Sequence, residues 1–452
     1  MSASIRTKLR KLSLRFLRGR GGNVAITFAL ATLPIIGGVG AAIDFSHANS
    51  VKTAMQSALD STALMLARDA ATVSNAQLQT KALSYFSALF TRPEAKNIVI
   101  SATYSSSGGS SLVVNGTATV DTSLMAIAGY TQMPVSGTAM TKWGNTRLRV
   151  ALVLDNTGSM AANGKMTALI TATKSLLTQL QSAVSTNGDV YVSIVPFVKD
   201  VNVDSSNYKS KWIDWTDWDA NNGWCTPNQN SQYTTQSDCL SQGQKKPTWH
   251  PNNHNTWNGC VTDRGASNAP SILNTDTNVT APLPLVTDTQ YSAEQYSPCP
   301  QAVMPLSYDW SGMTSLVNSM SPGGNTNQAI GLQLGWMSLV GGGPFPTPPA
   351  MDPLYTYTQV IILLTDGLNT QNRWYTSQSS IDARQQLTCN NIKAANITLY
   401  TIQVNTGGDP TSTLLQNCAT TSDKFYLLTS ANEIISVFNQ IGTNLSKLYV
   451  AK

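Results

Sequence analysis

Charge is scarce in this chain. Only 12% of its 452 residues are Asp, Glu, Lys or Arg, about half the usual share of a soluble globular domain. Histidine is scarcer still, with His47, His250 and His254 the only three. The motifs H-E-x-x-H, G-x-S-x-G and the Walker A loop do not occur. Their absence removes the common signatures of zinc peptidases, α/β serine hydrolases and P-loop nucleotide hydrolases. The six cysteines include no C-x-x-C pair, which argues against thiol redox catalysis and a four-cysteine zinc site. Residues 1–22 lack acids and carry Arg6, Lys8, Arg10, Lys11, Arg15, Arg18 and Arg20. That segment alone holds +7 against +5 for the whole chain, so residues 23–452 sum to −2. The basic balance is a local tail, and a nucleic-acid-binding body is excluded as the default. Composition also excludes collagen-like, coiled-coil and fully disordered chains.

What the chain does have begins with an apolar run. Val24 to Ile43 is 20 residues without a charge, about 30 Å as a helix, enough for one bilayer core. Bases precede it and Asp44 follows, so the positive-inside rule puts residues 1–22 in the cytoplasm and the rest outside. A cleavable signal with Gly38-Val39-Gly40 as the cleavage site is the alternative. Past the run, Ala48, Val51, Met55, Ala58, Leu59 and Leu66 recur at helical spacing between polar residues, so the anchor at 23–43 is expected to continue as an amphipathic helix.

A helix half in the membrane and half amphipathic is the pilin plan. The stretch from Gly21 through Val24 to Ala29 resembles the start of TadE/TadG-like proteins of tight-adherence (Flp) pilus systems. Prepilin-type processing after Gly22 would want Glu where Thr27 stands, and an uncleaved anchor fits better. A further helix is expected over 78–90. Strands then follow around Ile98-Val99-Ile100, Leu112-Val113-Val114 and Ala118-Thr119-Val120, with turns at Gly108-Gly109 and Asn115-Gly116. Residues 44–145 thus read as the long helix plus a small α+β, pilin-like stalk.

From 146 to 450 the pattern is α/β. Buried strands are expected at 148–154, 190–195, 360–365 and 397–404, with helices near 166–182, 326–339, 378–395 and 431–448. Hydrophobic strands alternating with helices imply a parallel, Rossmann-like sheet covered on both faces, with ligands at the carboxyl ends of its strands. Those ends carry oxygen donors. Asp155, Thr157 and Ser159 alternate after the first strand, Asp366 leaves another, and Thr326 lies in a Pro-Gly-Gly-Asn-Thr-Asn loop between them. Two carboxylates and three hydroxyls make a hard shell suited to Mg²⁺, with Mn²⁺ or Ca²⁺ as substitutes, and unsuited to Zn²⁺. Asp155 and Asp366 could instead only cap helices, although caps do not need the Thr326 loop.

The set D-x-T-x-S, then Thr326, then T-D-G resembles the metal-ion-dependent adhesion site of von Willebrand factor type A domains. Together with the amino-terminal stretch, it makes the chain resemble TadG-type pilus-assembly proteins. The resemblance implies that an acidic side chain of a protein partner, drawn from pilus or secretion-system components, completes the metal shell. A purely structural metal is the alternative.

Residues 201–310 interrupt the A domain with seven of the ten tryptophans. They also hold Cys225, Cys239, Cys260 and Cys299. So polar a lobe needs cross-links, and proximity favours Cys225–Cys239, Cys260–Cys299 and Cys389–Cys418. An oxidising compartment agrees with that. Pro251 between His250 and His254 opposes a helix, so the two read as loop histidines and not as a metal pair. The tryptophans either bind glycan or pack the lobe. The expected protein is therefore no enzyme. It is a single-pass bacterial inner-membrane protein, anchored by 24–43, whose bulk is periplasmic or surface-exposed and binds a protein partner. The alternatives are a minor pilin-like subunit with a structural metal and, weakest, an oxygen-ligand metallohydrolase lacking a general base.

Overall fold

The computed structural model describes residues 22–107, 109–143, 146–184, 186–226, 233–241, 247–265 and 275–450. The basic tail and Gly108 lie outside them. The chain divides into two compact units, Met1–Trp143 and Gly144–Lys452.

In the first unit, α1 runs unbroken from Gly22 to Ala67. Among the described residues it is the one helix long and apolar enough to cross a membrane. Its character changes along its length. The side chains described before Gly40 face outward, and a buried stripe then follows at Gly40, Asp44, Ala48, Val51, Met55, Ala58 and Leu59. The three- and four-residue spacing puts that stripe on one face. It is covered by α2 (Asn75–Leu89) and by the antiparallel sheet β1 (Ala95–Ser105), β2 (Ser110–Asp121) and β3 (Gln132–Trp143), in that order. A capping box starts α2: Ser74 accepts from the Gln77 N–H, and the Gln77 side chain accepts from the Ser74 N–H.

One expected turn is corrected. Asn115-Gly116 sits inside β2, where Asn115 pairs with Ser101 and Thr138, and Gly116 with Ile100 and Gly137. The glycines serve close packing here. A Cβ on Gly137 would lie 2.9 Å from one methyl of Leu59, and one on Gly116 would lie 3.1 Å from the other. The missing side chains let α1 approach the sheet.

The second unit opens with β4 (Thr146–Asp155) and β5 (Val190–Phe197). Seven short strands follow: β6 (Val201–Asn202), β7 (Ile213–Asp214), β8 (Gly223–Thr226), β9 (Thr248–Pro251), β10 (Cys260–Thr262), β11 (Tyr291–Ala293) and β12 (Met304–Ser307). The last three are β13 (Thr356–Thr365), β14 (Thr398–Val404) and β15 (Phe425–Leu428). The main sheet runs β15-β14-β13-β4-β5 and is parallel throughout that stretch. Its strands are apolar on both sides. Val150, Leu152, Leu154, Ile362 and Leu364 pack against helices Lys165–Ala183 and Asn432–Val450. Ala151, Val153, Ile361 and Leu363 pack against Gln328–Val340 and Gln378–Ala394. Parallel strands with helices on both faces make this a doubly wound, Rossmann-like α/β sheet.

The insertion is less separate than the word lobe suggests. Its strands β6, β10, β11 and β7 continue the main sheet past β5. Trp218, Trp257, Val261 and Tyr291 join the same core as Phe197 and Met337. The strands are two or three residues long, so hydrophobic alternation never has room to show in the sequence. The bridges are Cys225–Cys239, Cys260–Cys299 and Cys389–Cys418, the pairs that proximity favours. Cys260–Cys299 ties β10 to the segment before β12, and Cys389–Cys418 joins two helices that flank β14.

Candidate metal centre

Strands β4 and β13 are adjacent and parallel, with Leu154 opposite Leu364. The next residues of each strand, Asp155 and Thr365, therefore leave the sheet side by side. Thr365 Oγ1 donates to Asp155 Oδ2 at 2.7 Å, and the Thr157 N–H donates to Asp155 Oδ1 at 2.7 Å. The turn that this second bond closes brings Thr157 Oγ1 to 3.0 Å from Ser159 Oγ. Ser159 Oγ in turn donates to Asp366 Oδ1 at 2.5 Å. Four of the five expected residues thus form one hydrogen-bonded set at the carboxyl end of the sheet.

Thr326 reaches this region through its loop. The Gly158 N–H donates to the Gly324 carbonyl at 3.0 Å, and the Gly323 N–H donates to the Asn156 carbonyl at 2.7 Å. Gly324 has φ +77, and a Cβ there would meet the Tyr296 hydroxyl at 2.9 Å, so the residue suits only glycine. The Thr326 N–H donates to Thr370 Oγ1 at 2.8 Å. Neither acid caps a helix: helix Lys165–Ala183 starts after Gly164, and helix Gln378–Ala394 starts after Ser377.

Charge is concentrated here. Asp155 is fully buried. Burial first, then the neighbouring Asp366 charge, push its pKa up to about 6, against the lowering hydrogen bonds of Thr157 and Thr365. Two crowded carboxylates call for a cation. Lys165 supplies one, since its buried ammonium donates to Asp366 Oδ2. The sequence reading missed Lys165. Its signal was a lone lysine between the glycine that closes the site turn and the apolar helix that follows.

The donor set fits a hard divalent ion: two carboxylates and neighbouring hydroxyls, without thiolate or imidazole. Among the described residues no group of three or more His, Cys, Asp and Glu could hold a metal. A set of two carboxylates completed by hydroxyls is of a different kind. The insertion reaches the rim of the site. Asn327 Nδ2 donates to Asp263 Oδ2 at 2.8 Å, and Asp263 follows β10 directly. The Arg373 N–H donates to the same carboxylate oxygen at 3.2 Å.

His250 and His254 stand in separate aromatic stacks. His254 lies 3.8 Å from the Trp215 ring, with its Nε2 2.7 Å from Asp219, whereas His250 stacks on Trp224 at 4.2 Å. Trp215 also meets Trp218 and Trp257 edge-on, each at 5.4 Å. Trp218 and Trp257 are buried, so these two pack the insertion.

Residues 22–69 match the family model described as Flp pilus-assembly TadE/G-like (Tad), and the chain opens with a Tad-type segment. No curated protein matches the chain. Among solved structures, the pilus adhesin SpaC from Lactobacillus rhamnosus GG is similar at 13% identity and a TM-score of 0.38, over 80% of this chain and 36% of that one. The von Willebrand factor domain of the type V pili tip protein Mfa5 from Porphyromonas gingivalis is similar at 10% identity and 0.36, over 68% of this chain and 97% of that one. Proximal thread matrix protein 1 from the mussel byssus, solved with a zinc-occupied MIDAS motif, is similar at 11% identity and 0.32, over 67% and 47%. The chain spans about a third of the length of SpaC.

Proposed function

We propose that the chain is a membrane-anchored, extracytoplasmic binding and assembly protein of a Tad/Flp-type pilus system. It engages an acidic group of a protein partner through a divalent metal held by Asp155, Thr157, Ser159, Thr326 and Asp366. The observation that carries the reading is the Asp155–Thr157–Ser159–Asp366 set, which places two carboxylates and two hydroxyls at the carboxyl end of adjacent parallel strands. When bound, Mg²⁺ supplies a positive centre with a position left for a partner carboxylate.

The chain's own residues do the rest. Asp155 is oriented by Thr157 and Thr365. The loop bearing Thr326 is held against the site turn by two backbone hydrogen bonds. Because Lys165 neutralises Asp366 by itself, the sheet does not need the ion in order to fold. That favours a binding role over a purely structural metal in a minor pilin-like subunit. The Tad-type segment and the apolar run of α1 support the anchor, with residues 1–22 cytoplasmic and residues 44–452 outside the inner membrane. No catalytic role is assigned.

The test is a pull-down of the membrane-extracted chain from cells of its source, in Mg²⁺ and in chelator, with Asp366→Ala alongside. Pilus or secretion components captured in Mg²⁺ alone, and lost in the variant, support the reading. Capture that survives both treatments rejects the metal mechanism. Shearing separates the alternatives: a pilin-like subunit leaves with the fibres, and an assembly protein stays in the membrane.

A further inference from the structure

The loop between β2 and β3 is apolar where it should be polar. From Thr122 to Thr141 there are 20 residues without a charge. Ile127 is 83% exposed, Tyr130 65% and Leu124 36%. This loop packs on the end of the apolar run of α1. Gly40 lies against Leu124, whose Cβ would be 2.7 Å from any side chain placed there. One turn later Asp44 accepts N–H bonds from Ser123 at 3.0 Å, Leu124 at 2.9 Å and Met125 at 2.7 Å. Gly40 lies about 4.5 Å inside the outer end of the run, at 1.5 Å per residue. The loop therefore overlaps the last turn of the segment read as membrane-spanning and sits at its depth.

We infer that the 123–130 loop is a second membrane contact, with Leu124, Ile127 and Tyr130 seated in the outer headgroup and acyl boundary beside α1. The inference rests on the anchor reading above. Three observations select lipid as the occupant. The patch is continuous with the apolar run, and Ile43 and Phe45 of α1 are exposed beside Asp44. Asp44, the one acid at this level of α1, is buried and its carboxylate is met by three backbone N–H groups, so it offers no exposed charge to the boundary. Tyrosine is a favoured side chain at that depth. Two contacts, helix and loop, would fix the tilt of the first unit on the membrane where a lone helix leaves it free.

The test uses the full chain, whose six cysteines are all in disulfides, so one introduced thiol takes one nitroxide. Ile127→Cys and Tyr130→Cys are labelled in phosphatidylethanolamine–phosphatidylglycerol vesicles. Ile36→Cys within the run and Val99→Cys on β1 are the references; both side chains are exposed. Collision with oxygen is compared with collision with a water-soluble nickel chelate. The expected result is an oxygen-to-nickel ratio at 127 and 130 several-fold above that at 99 and approaching that at 36. A ratio at 127 and 130 equal to that at 99, with 36 still high, overturns the loop contact and leaves the anchor standing. An aqueous ratio at 36 as well overturns the anchor. Protection from both reagents, with spin–spin broadening that vanishes on dilution with unlabelled chain, shows a second copy on the loop and also overturns the lipid contact.

Discussion

The ammonium of Lys165 is buried against the Asp366 carboxylate, on the acid that the adhesion-site pattern assigns to the metal. The carboxylate it meets also accepts from Ser159. Fixed positive charge beside a cation site has two effects of opposite sign. It stabilises the metal-free protein, and it weakens attraction for the ion.

Lys165→Met should separate these effects. Without metal the variant loses its buried pairing and becomes less stable by about 3 kcal/mol. With the repulsion gone, Mg²⁺ binds about tenfold more tightly, equivalent to ~1.4 kcal/mol. Calorimetric titration and thermal unfolding in Mg²⁺ and in chelator read both effects. Unchanged affinity would mean that Lys165 plays no part in setting the charge of the site.

Asp155 predicts a pH dependence. Its folded pKa is raised from 3.8 to about 6 by burial and by Asp366. The folded state therefore holds the proton more tightly than the unfolded chain, and between those values unfolding releases it. Stability contributed by the protonated form is complete below pH 4 and is lost as pH rises through 6. In chelator, denaturant midpoints should fall across that window more steeply for the wild type than for Asp155→Asn. Parallel profiles would contradict the assignment. Mg²⁺, which needs the carboxylate, should bind more weakly below pH 6.

Reduction of Cys389–Cys418 should be costly. The bridge spans 29 residues around β14, and both cysteines are fully buried in the core. Chain entropy alone assigns it about 3–4 kcal/mol. The Cys389→Ser/Cys418→Ser double variant should unfold at clearly lower denaturant, with Mg²⁺ binding retained at low temperature because the site lies on β4 and β13. Loss of metal binding in a still-folded variant would show that the bridge shapes the site.

Much of the second unit was legible because its central strands are buried on both faces and read as unbroken apolar runs. Two of these runs end abruptly at an acid, Asp155 after Leu154 and Asp366 after Thr365. That break marks a strand's carboxyl end and the donors it carries. Lys165 was not legible, because its role depends on an acid 201 residues away in sequence. The extension of the sheet by β6, β10, β11 and β7 was hidden by strand length. In the first unit the stripe from Ala48 to Leu66 was clear from its spacing, whereas Asn115-Gly116 misled. A dipeptide that usually turns a hairpin here lies in mid-strand, where tertiary packing overrides local preference.

Gly137→Val tests that last point. Gly137 pairs with Gly116 across β2 and β3, and the helix passes directly over them. An added Cβ would stand 2.9 Å from a Leu59 methyl and 2.8 Å from Gln56 Oε1. The Gln56 tip can turn away, since its surroundings are partly open, but Leu59 is fully buried. The clash must then lift α1 from the sheet or force Leu59 off its rotamer, at about 1–3 kcal/mol. Leu59→Ala removes the obstacle at its own cost of about 2–5 kcal/mol. The two changes share one volume, so the double variant should lose less than the sum of the singles, by about 1 kcal/mol or more. Hydrogen exchange of the β2 and β3 amides in the detergent-solubilised chain reads all four states. Strict additivity would mean that the glycines are needed for the strand itself and not for the approach of the helix.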